Sequence, residues 1–345
     1  MDFTPTEEQE AARELAARIL GDLSTHERLA AAGTGTDAEL WKALCAAGLP
    51  GAVEEIGLLG LVLLLEEQGR VTAQVPLAAT GVYGILAVAR HGTEEQRARL
   101  LPGLRDGTAV ATGAFPATGA VTARGGRLTG TVGWVPWLRD ATHVLVPDAD
   151  RALWLVRAGD LAAVAPVELT APWSAGRPVL DGTPAERLGD GTGPEAYEDV
   201  LAAARTAFAG LQAGVCAGSL ARAVAYTSVR EQFGRPLATR QAVQLRAADA
   251  HMDTEAIRVT AYEAAWRSDA GLDGAAATLT AAWWASEAGK RVVHSGQHLH
   301  GGMGADLDHP VHRHFLWGRQ LDAYLGHGTE LLAELGDLLA RKGSI

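Results

Sequence analysis

Apolar residues recur every three to four positions through long segments of the chain, the spacing that places them on one face of an α-helix. The pattern occurs in two blocks, one on each side of a central region that follows a different rule. In the first block it predicts helices over 4–21, 37–47, 54–69, 77–91 and 94–104. In the second block it predicts helices over 196–229, 239–269, 272–298, 309–323 and 328–341. Pro102 and Gly103 are expected to end the last helix of the first block.

Short apolar runs separated by Gly, Pro and Asp fill the central region, from residue 109 to about residue 180. Runs such as AVATGAF, THVLVPD and ALWLVRA alternate in polarity and are rich in β-branched residues, which predicts strands. The stretch GTPAERLGDGTGPEAYED (182–199) is expected to be a loop that leads back to helix. The sequence therefore predicts an α+β, mainly helical chain with three domains: 1–108 (helical), 109–192 (β) and 193–345 (helical).

The composition fits a folded protein with a large core, because 48% of the 345 residues are apolar and 21% are charged. The net charge of −11 and the lack of a basic run argue against nucleic acid as a partner. The longest apolar runs, IGLLGLVLLL and AFAGLQAGVCAGSLA, are shorter than the roughly 20 residues of a membrane span, so buried helices are expected. With two cysteines and no secretory pattern at the N-terminus, we expect a cytoplasmic protein with free thiols and no membrane partner.

The first stretch with candidate chemistry is REQFGRPLATRQAVQ (230–244), which lies between two predicted helices. Gly234 and Pro236 predict a turn, so an ordinary helix–turn–helix connection accounts for the stretch without any function. A binding site is the other interpretation. Arg230 would offer a forked donor to a diphosphate, Phe233 would pack on a planar ring, and Gln241 would hydrogen-bond beside it.

The second stretch is HGGMG (300–304), which follows a predicted helix. Adjacent glycines let a ligand approach the backbone closely and leave N–H groups free for an anion, although such a sequence also forms simple tight turns. Histidines are frequent nearby, and His294 and His298 have a spacing compatible with zinc. No Glu lies between these two histidines and no cysteine or carboxylate shares their face, so we expect no metal site.

The two stretches occur together and in a fixed order. Arg-x-x-Phe-Gly is followed by a Gln seven residues after the Gly, and Gly-Gly-x-Gly comes about sixty residues later. The segment YTSVREQFGRPLATRQAVQLRAADAHMD carries the most specific part of this pattern. In these features the chain resembles the acyl-CoA dehydrogenase family over nearly its whole length.

The resemblance implies an N-terminal helical domain, a central small β-barrel domain and a C-terminal four-helix bundle. It also implies FAD-dependent α,β-dehydrogenation of an acyl-CoA thioester, with electron-transfer flavoprotein or a similar acceptor. Family members hold the ADP part of FAD with residues lent by a neighbouring subunit. By resemblance, this ADP clasp would consist of Arg230, Phe233, Gln241, His298, Gly301 and Gly302. His298 stands where the family usually has Gln.

The chain departs from the family in the other half of the site. GAFPATGAVT (113–122) lacks the Ser-Asp ending and the acidic residue before the proline of the family's flavin loop, and GWVPWLRD (133–140) matches the family's Trp-Ile-Thr strand only loosely. Leu325 stands where most members carry the catalytic Glu. Ala204 occupies the position used by other members, and Glu198 lies about two helical turns from it.

Both departures affect the half of the site that a subunit builds for itself. We therefore interpret the chain as the smaller, base-lacking subunit of an α2β2 heterotetramer, similar to actinobacterial acyl-CoA dehydrogenases that act on sterol side-chain CoA thioesters. A larger subunit of the same family would carry the catalytic Glu and the flavin-ring pocket. The alternatives are a self-sufficient homotetramer that uses Glu231 or Asp249 as an atypical base, a non-catalytic scaffold, and a zinc protein.

Overall fold

The structure is a computed structural model that describes residues 2–117, 120–191 and 194–343. Two sequence predictions therefore fall partly outside the described residues. The predicted flavin loop is described except for its residues 118 and 119, and the boundary predicted between residues 192 and 193 is not described.

Helices occupy the chain up to residue 106, as the apolar periodicity predicts. A π-helix over Thr80–Leu86, buried along its whole length, joins the fifth and sixth α-helices. The seven α-helices described in this part are α1 (Glu7–Leu23), α2 (His26–Ala31), α3 (Ala38–Ala46), α4 (Leu49–Val71), α5 (Leu77–Ala79), α6 (Ala87–His91) and α7 (Glu94–Asp106).

Two of these helices differ from the predicted ones. Helix α4 begins earlier than expected and bends at Gly57, which has a φ of 71° that a glycine adopts without strain. The prediction that α7 ends at Pro102 and Gly103 is wrong. The helix continues past both residues to Asp106 and ends at Gly107 in the left-handed conformation. Proline removes one backbone hydrogen bond from a helix but does not always stop it.

The central region forms two four-stranded sheets. The first has the strand order β1-β4-β5-β8, in which β1 and β4 are parallel and the other pairs are antiparallel. The second is antiparallel throughout, with the order β2-β3-β7-β6. The strands are β1 (Ala111–Gly113), β2 (Val121–Arg124), β3 (Arg127–Thr131), β4 (His143–Pro147), β5 (Leu153–Arg157), β6 (Ala163–Pro166), β7 (Gly176–Pro184) and β8 (Glu186–Arg187).

The two sheets share one apolar core. Val144, Val146 and Val156 enter it from the first sheet, and Leu128 and Leu180 enter it from the second. All five side chains are buried, which is the arrangement expected when two sheets pack face to face. The predicted central β region is therefore present.

Long helices return after residue 195. They are α8 (Glu195–Val229), α9 (Gln241–Asp269), α10 (Ala275–His300), α11 (Val311–Leu321) and α12 (Gly328–Arg341). Two short strands, β9 (Glu231–Gln232) and β10 (Arg235–Pro236), form a hairpin between α8 and α9. Short 3₁₀ helices follow β10 at Leu237–Thr239 and follow α10 at Gly301–Ala305.

Contacts along the chain group it into two compact units. One unit contains Met1–Thr6, Val62–Ala73 and Arg205–Ile345, and the other contains Glu7–Leu61 and Gln74–Ala204. Helices α4 and α8 contribute residues to both units. Because this grouping does not follow three consecutive ranges, the three-domain division stays a prediction.

The apolar segments singled out in the sequence lie in buried helices. Helix α8 is long and apolar enough to cross a membrane, but 83% of its most apolar window is buried. Helices α3 and α4 pass the same test only as one span, and they are bent by 75° at their break. Both cysteines are free thiols, as predicted; Cys216 is buried and Cys45 is half-buried.

Candidate functional site

The connection between α8 and α9 has a defined geometry. The N–H of Arg230 donates to the Tyr226 carbonyl at 2.9 Å, and the Arg230 carbonyl accepts from the N–H of Leu237 at 2.9 Å. Between these two bonds the β9–β10 hairpin pairs Gln232 with Arg235. The turn that the sequence predicts is therefore a hairpin. The backbone N–H and the backbone carbonyl of Arg230 both make hydrogen bonds at its base.

Phe233 lies at the tip of this hairpin in an unfavourable state. Its φ is 54°, in a region where a bulky residue is strained, and 93% of its surface is exposed. Arg240 packs on the ring with its guanidinium carbon 5.2 Å from the ring centroid, and its Nη2 donates to the Gln232 carbonyl at 2.9 Å. Strain and an exposed aromatic face do not stabilise the chain itself, so they point to an external partner.

The charge around the hairpin is opposite to that of the whole chain. Residues 230–240 contain three arginines and one glutamate, whereas the chain has a net charge of −11. Arg230 and Arg235 are exposed. Guanidinium groups are the preferred donors to phosphate oxygens, so this segment is suited to a diphosphate.

The glycine turn begins where α10 ends. Gly301 has a φ of 63° and needs glycine for that reason alone. Gly302 has no such requirement, and a Cβ added to it would meet nothing within 4 Å. Gly304 differs, because a Cβ there would lie 2.5 Å from the Gln297 carbonyl oxygen. Gly301 and Gly302 thus leave open space above an exposed backbone.

The helix register brings the hairpin and the glycine turn to the same end of the α9–α10 pair. Arg291 on α10 binds Asp253 on α9 with an Nη2–Oδ1 distance of 2.7 Å. Gln241 lies twelve residues before Asp253, and Met303 lies twelve residues after Arg291. Because α9 and α10 are consecutive antiparallel helices with a rise of about 1.5 Å per residue, these two positions lie at a similar level.

The histidines around the turn have different environments. His298 and His294 are both exposed, and the His294 ring packs edge-on against Phe315 at 4.9 Å between centroids. Burial and the charge of Arg319 lower the pKa of His294 below its usual value. Among the residues that the structure describes, no three His, Cys, Asp or Glu side chains are grouped as ligands for a metal ion.

Where most of the family has the catalytic Glu, this chain has a buried leucine. Leu325 is buried and lines a cavity of about 20 Å³, room for about one water, together with Phe208, Tyr324 and Leu331. Arg205 donates from Nε to the Leu325 carbonyl at 3.3 Å and makes a bidentate ion pair with Glu334, at 2.9 and 2.8 Å. Arg205 lines the same cavity, but its guanidinium is already paired with Glu334, so the space beside residue 325 suits an apolar side chain.

The other position at which family members carry the catalytic Glu has no carboxylate here either. Ala204 is fully buried. The nearest carboxylate suggested by the sequence, Glu198, forms an ion pair with Arg151. Neither position therefore provides a carboxylate that is free to take a proton.

Sequence reasoning missed one buried carboxylate in this part of the chain. Asp322 is buried and pairs with Arg319 at 2.7 Å between Oδ2 and Nη1. Burial raises the pKa of Asp322, and the charges of Arg319 and Lys290 oppose that shift. An Arg–x–x–Asp spacing on a predicted helix was the available signal, but it is equally typical of a surface ion pair.

The predicted flavin loop does not offer a flat open surface. The rings of Tyr83, Phe115 and Tyr197 are buried and form a stack with centroid distances of 5.1 and 5.3 Å. Phe115 stands directly before Pro116, where the family has an acidic residue. The hydroxyl of Tyr197 accepts a hydrogen bond from the Ala117 N–H at 3.1 Å and fixes the loop against the stack.

The loosely matched strand is a turn rather than a strand. Residues 136–140 form turns, and Trp137 has a φ of 58°. The Trp137 ring is buried and stacks on Trp173 at 6.2 Å between centroids. The residues at both flavin-ring positions thus pack against the chain itself and leave no flat open face for a flavin ring. The hairpin and the glycine turn instead present exposed arginines and open backbone, the groups that an ADP moiety would need.

Models of one protein family match both ends of the chain. The model described as acyl-CoA dehydrogenase, N-terminal domain, matches residues 6–108, and the model described as acyl-CoA dehydrogenase, C-terminal domain, matches residues 191–333. A relative from Mycobacterium tuberculosis, acyl-CoA dehydrogenase FadE27, is 36% identical over 99% of this chain and 99% of its own length.

Two solved structures resemble the chain along its whole length. The "Tcur3481-Tcur3483 steroid ACAD G363A variant" is 42% identical, with a TM-score of 0.92 over 98% of this chain and 99% of that chain. The "ChsE4-ChsE5 complex from Mycobacterium tuberculosis" is 33% identical, with a TM-score of 0.91 over 99% of both chains. The chain therefore belongs to the acyl-CoA dehydrogenase family, whose members are FAD-dependent oxidoreductases of acyl-CoA thioesters.

Proposed function

We propose that this chain is the base-lacking subunit of a heteromeric acyl-CoA dehydrogenase. It lends the ADP clasp (Arg230, Phe233, Gln241, His298, Gly301 and Gly302) to a larger partner subunit of the same family. The partner carries the catalytic Glu and the flavin-ring pocket. The observation that carries the proposal is the contrast between Leu325, buried in apolar packing, and Phe233, held strained and exposed.

FAD, when bound, supplies the hydride acceptor for α,β-dehydrogenation, and a carboxylate must take the α-proton. The residues of this chain bind and orient the cofactor. Arg230 neutralises the diphosphate, and the exposed face of Phe233 packs on a planar group. The backbone at Gly301 and Gly302 approaches the ligand closely because neither residue has a side chain.

The arrangement of the complex and its substrate are proposed from the relatives. Both solved structures named above are titled with two protein names, and one of them is titled a steroid ACAD. We propose an α2β2 heterotetramer that acts on a steroid side-chain CoA ester and passes electrons to electron-transfer flavoprotein or a similar acceptor. In this arrangement each pair of unlike subunits holds one FAD.

The first test isolates the chain with its partner. A tagged chain is purified from its source cells, and its companion is identified by mass spectrometry. We expect an acyl-CoA dehydrogenase subunit with a Glu at the base position, in equal amount, with one FAD per pair and activity on a steroid side-chain CoA ester. A yellow, active homomer would contradict the proposal and favour the self-sufficient homotetramer.

The second test separates a cofactor-binding subunit from a scaffold. Arg230→Ala in the complex should reduce FAD affinity by roughly 10- to 100-fold, because a charged hydrogen-bond donor to the diphosphate is lost. Arg246→Ala is the matched control, since it removes the same charge from the exposed face of α9. An equal loss of FAD affinity in both variants would indicate that only the overall positive charge matters. Unchanged FAD affinity in both would indicate that the chain is a scaffold.

A further inference from the structure

The two parts of the ADP clasp are far apart in sequence, and one aromatic contact connects them. His300 is the last residue of α10 and comes directly before Gly301. Its ring stacks on the Tyr226 ring with 4.9 Å between centroids and 20° between planes. Tyr226 lies on α8, and its carbonyl accepts the N–H of Arg230 at 2.9 Å. The stack therefore joins the end of α8 to the start of the glycine turn.

The His300 ring is fixed on its other sides as well. It is 3% exposed, and its Nδ1–H donates to the Gly296 carbonyl at 2.7 Å. The His309 ring lies 5.0 Å away between centroids. His309 in turn orders the approach to α11, since its carbonyl accepts from His312 Nδ1 at 2.6 Å. Besides its own helix α10, the ring thus contacts α8 and the segment that leads to α11.

We infer that His300 and Tyr226 are positioning residues for FAD, which set the distance between the glycine turn and the Arg230–Phe233 hairpin. This inference rests on the proposed function, because it assigns these residues to the same clasp. Neither ring needs to touch the cofactor. Their stack holds together two backbone segments that must contact one ligand at the same time, so its loss weakens binding by misplacing groups that remain present.

The alternative is that His300 only fills space in the core. Replacement by Phe distinguishes the two roles, because Phe keeps a planar ring for Tyr226 and loses the hydrogen bond to Gly296. The Gly296 carbonyl lies inside α10, where the helical pattern pairs it with the N–H four residues later. The bond from the His300 ring, which Phe cannot make, is therefore a second one. If His300 acts through the stack, the FAD affinity that is lost in His300→Ala should be retained in His300→Phe.

The experiment measures FAD affinity in the purified heteromeric complex by fluorescence titration. We expect His300→Ala and Tyr226→Leu each to weaken FAD binding about tenfold, the upper end for losing one aromatic pair. His300→Phe and Tyr226→Phe should bind within about threefold of the unchanged complex. The double variant His300→Ala/Tyr226→Leu should be no weaker than either single variant, because both remove the same contact.

His294→Ala is the control, since it removes a ring from α10 that packs on Phe315 and not on Tyr226. If Arg230→Ala weakens FAD binding and His300→Ala does not, the inference is overturned while the proposed function stands. If Phe fails to restore binding, the stack is not the cause and the inference is again overturned. If neither Arg230→Ala nor His300→Ala has an effect, the proposed function fails too. Tyr226→Leu tests the same stack should His300→Ala not fold.

Discussion

The guanidinium carbon of Arg240 lies 5.2 Å from the centroid of the Phe233 ring, so a cation holds an exposed aromatic side chain in a strained backbone state. Such a contact is worth about 0.5–1 kcal/mol at an exposed site, less than or similar to the cost of the strain. The free chain therefore gains little from Phe233. Under the proposed function Phe233 contributes to FAD binding, so the following variants measure stability and binding separately.

Replacing Phe233 tests that separation directly. Asn tolerates a positive φ, so Phe233→Asn should leave the free energy of unfolding unchanged or raise it by up to about 1 kcal/mol. FAD affinity of the complex should fall, because the planar face is lost. Phe233→Tyr, which keeps the face, is the control. Urea unfolding and FAD titration measure both quantities, and a destabilised Asn variant would show that the ring supports the fold.

Gly302 offers a second variant that should affect binding alone. A Cβ at this position meets open space, so Gly302→Ala should change the free energy of unfolding by no more than about 0.5 kcal/mol. The methyl group would instead occupy the space above the backbone where a ligand approaches, and FAD affinity should fall about tenfold. Gly336→Ala in α12, which also meets open space, should leave FAD affinity unchanged and raise the free energy of unfolding by about 0.5–1 kcal/mol, because Ala is favoured over Gly inside a helix. Unchanged FAD affinity in Gly302→Ala would remove this glycine from the clasp.

A variant of Leu325 tests whether this position can still accommodate a carboxylate. Leu325→Glu places a carboxylate in a cavity of about 20 Å³, which should cost about 3–5 kcal/mol in the free energy of unfolding. We expect no dehydrogenase activity in the isolated variant. Leu325→Met keeps the volume and should cost less than about 1.5 kcal/mol. Chemical unfolding and an acyl-CoA assay measure the outcome; a stable and active Glu variant would contradict the account given for this position.

The buried His314 predicts a pH dependence of stability. Its Nε2–H donates to the Arg70 carbonyl at 3.0 Å, and burial lowers its pKa to about 4. As pH falls below about 6.5 the unfolded chain takes up a proton at this histidine, but the folded chain stays neutral until about pH 4. The contribution of neutral His314 to the free energy of unfolding is therefore complete above about pH 6.5. About 3 kcal/mol of it is lost as the pH falls from 6.5 to 4.

His314→Gln keeps a hydrogen-bond donor but cannot take up a proton in this range. Urea unfolding at pH 7 and at pH 5 should therefore give a smaller difference for the variant than for the unchanged chain. The comparison of the two differences removes the effect of lost packing, which is the same at both pH values. Equal differences would show that His314 titrates normally in the folded chain.

The long helices follow from the sequence because their apolar periodicity extends over many turns. The strands were harder to predict, and β7 is the clearest case. In Gly176–Pro184 the buried positions include Pro178 and Thr183, whereas Val179 is exposed. The alternation of burial is present, but the residue types do not follow it, so the longest strand described in the central region does not resemble one in sequence.

The candidate site divides in the same way. The hairpin of Arg230 and Phe233 is local, so a short motif is sufficient to locate it. The stack of Tyr83, Phe115 and Tyr197 joins residues from three distant segments, and no local pattern indicates that they meet. The environment of His300 was missed for the same reason, since its partner Tyr226 lies on another helix.

The packing around Leu325 also bears on how such a chain evolves. Reinstating an acid there requires Phe208, Tyr324 or Leu331 to make room in the same step, because the new charge would otherwise be buried without solvent. A substitution of one of those neighbours alone loses packing and gains no activity. Under the proposed function, selection would therefore oppose the first step of a return to an independent enzyme, and the dependence on a partner subunit would be hard to reverse.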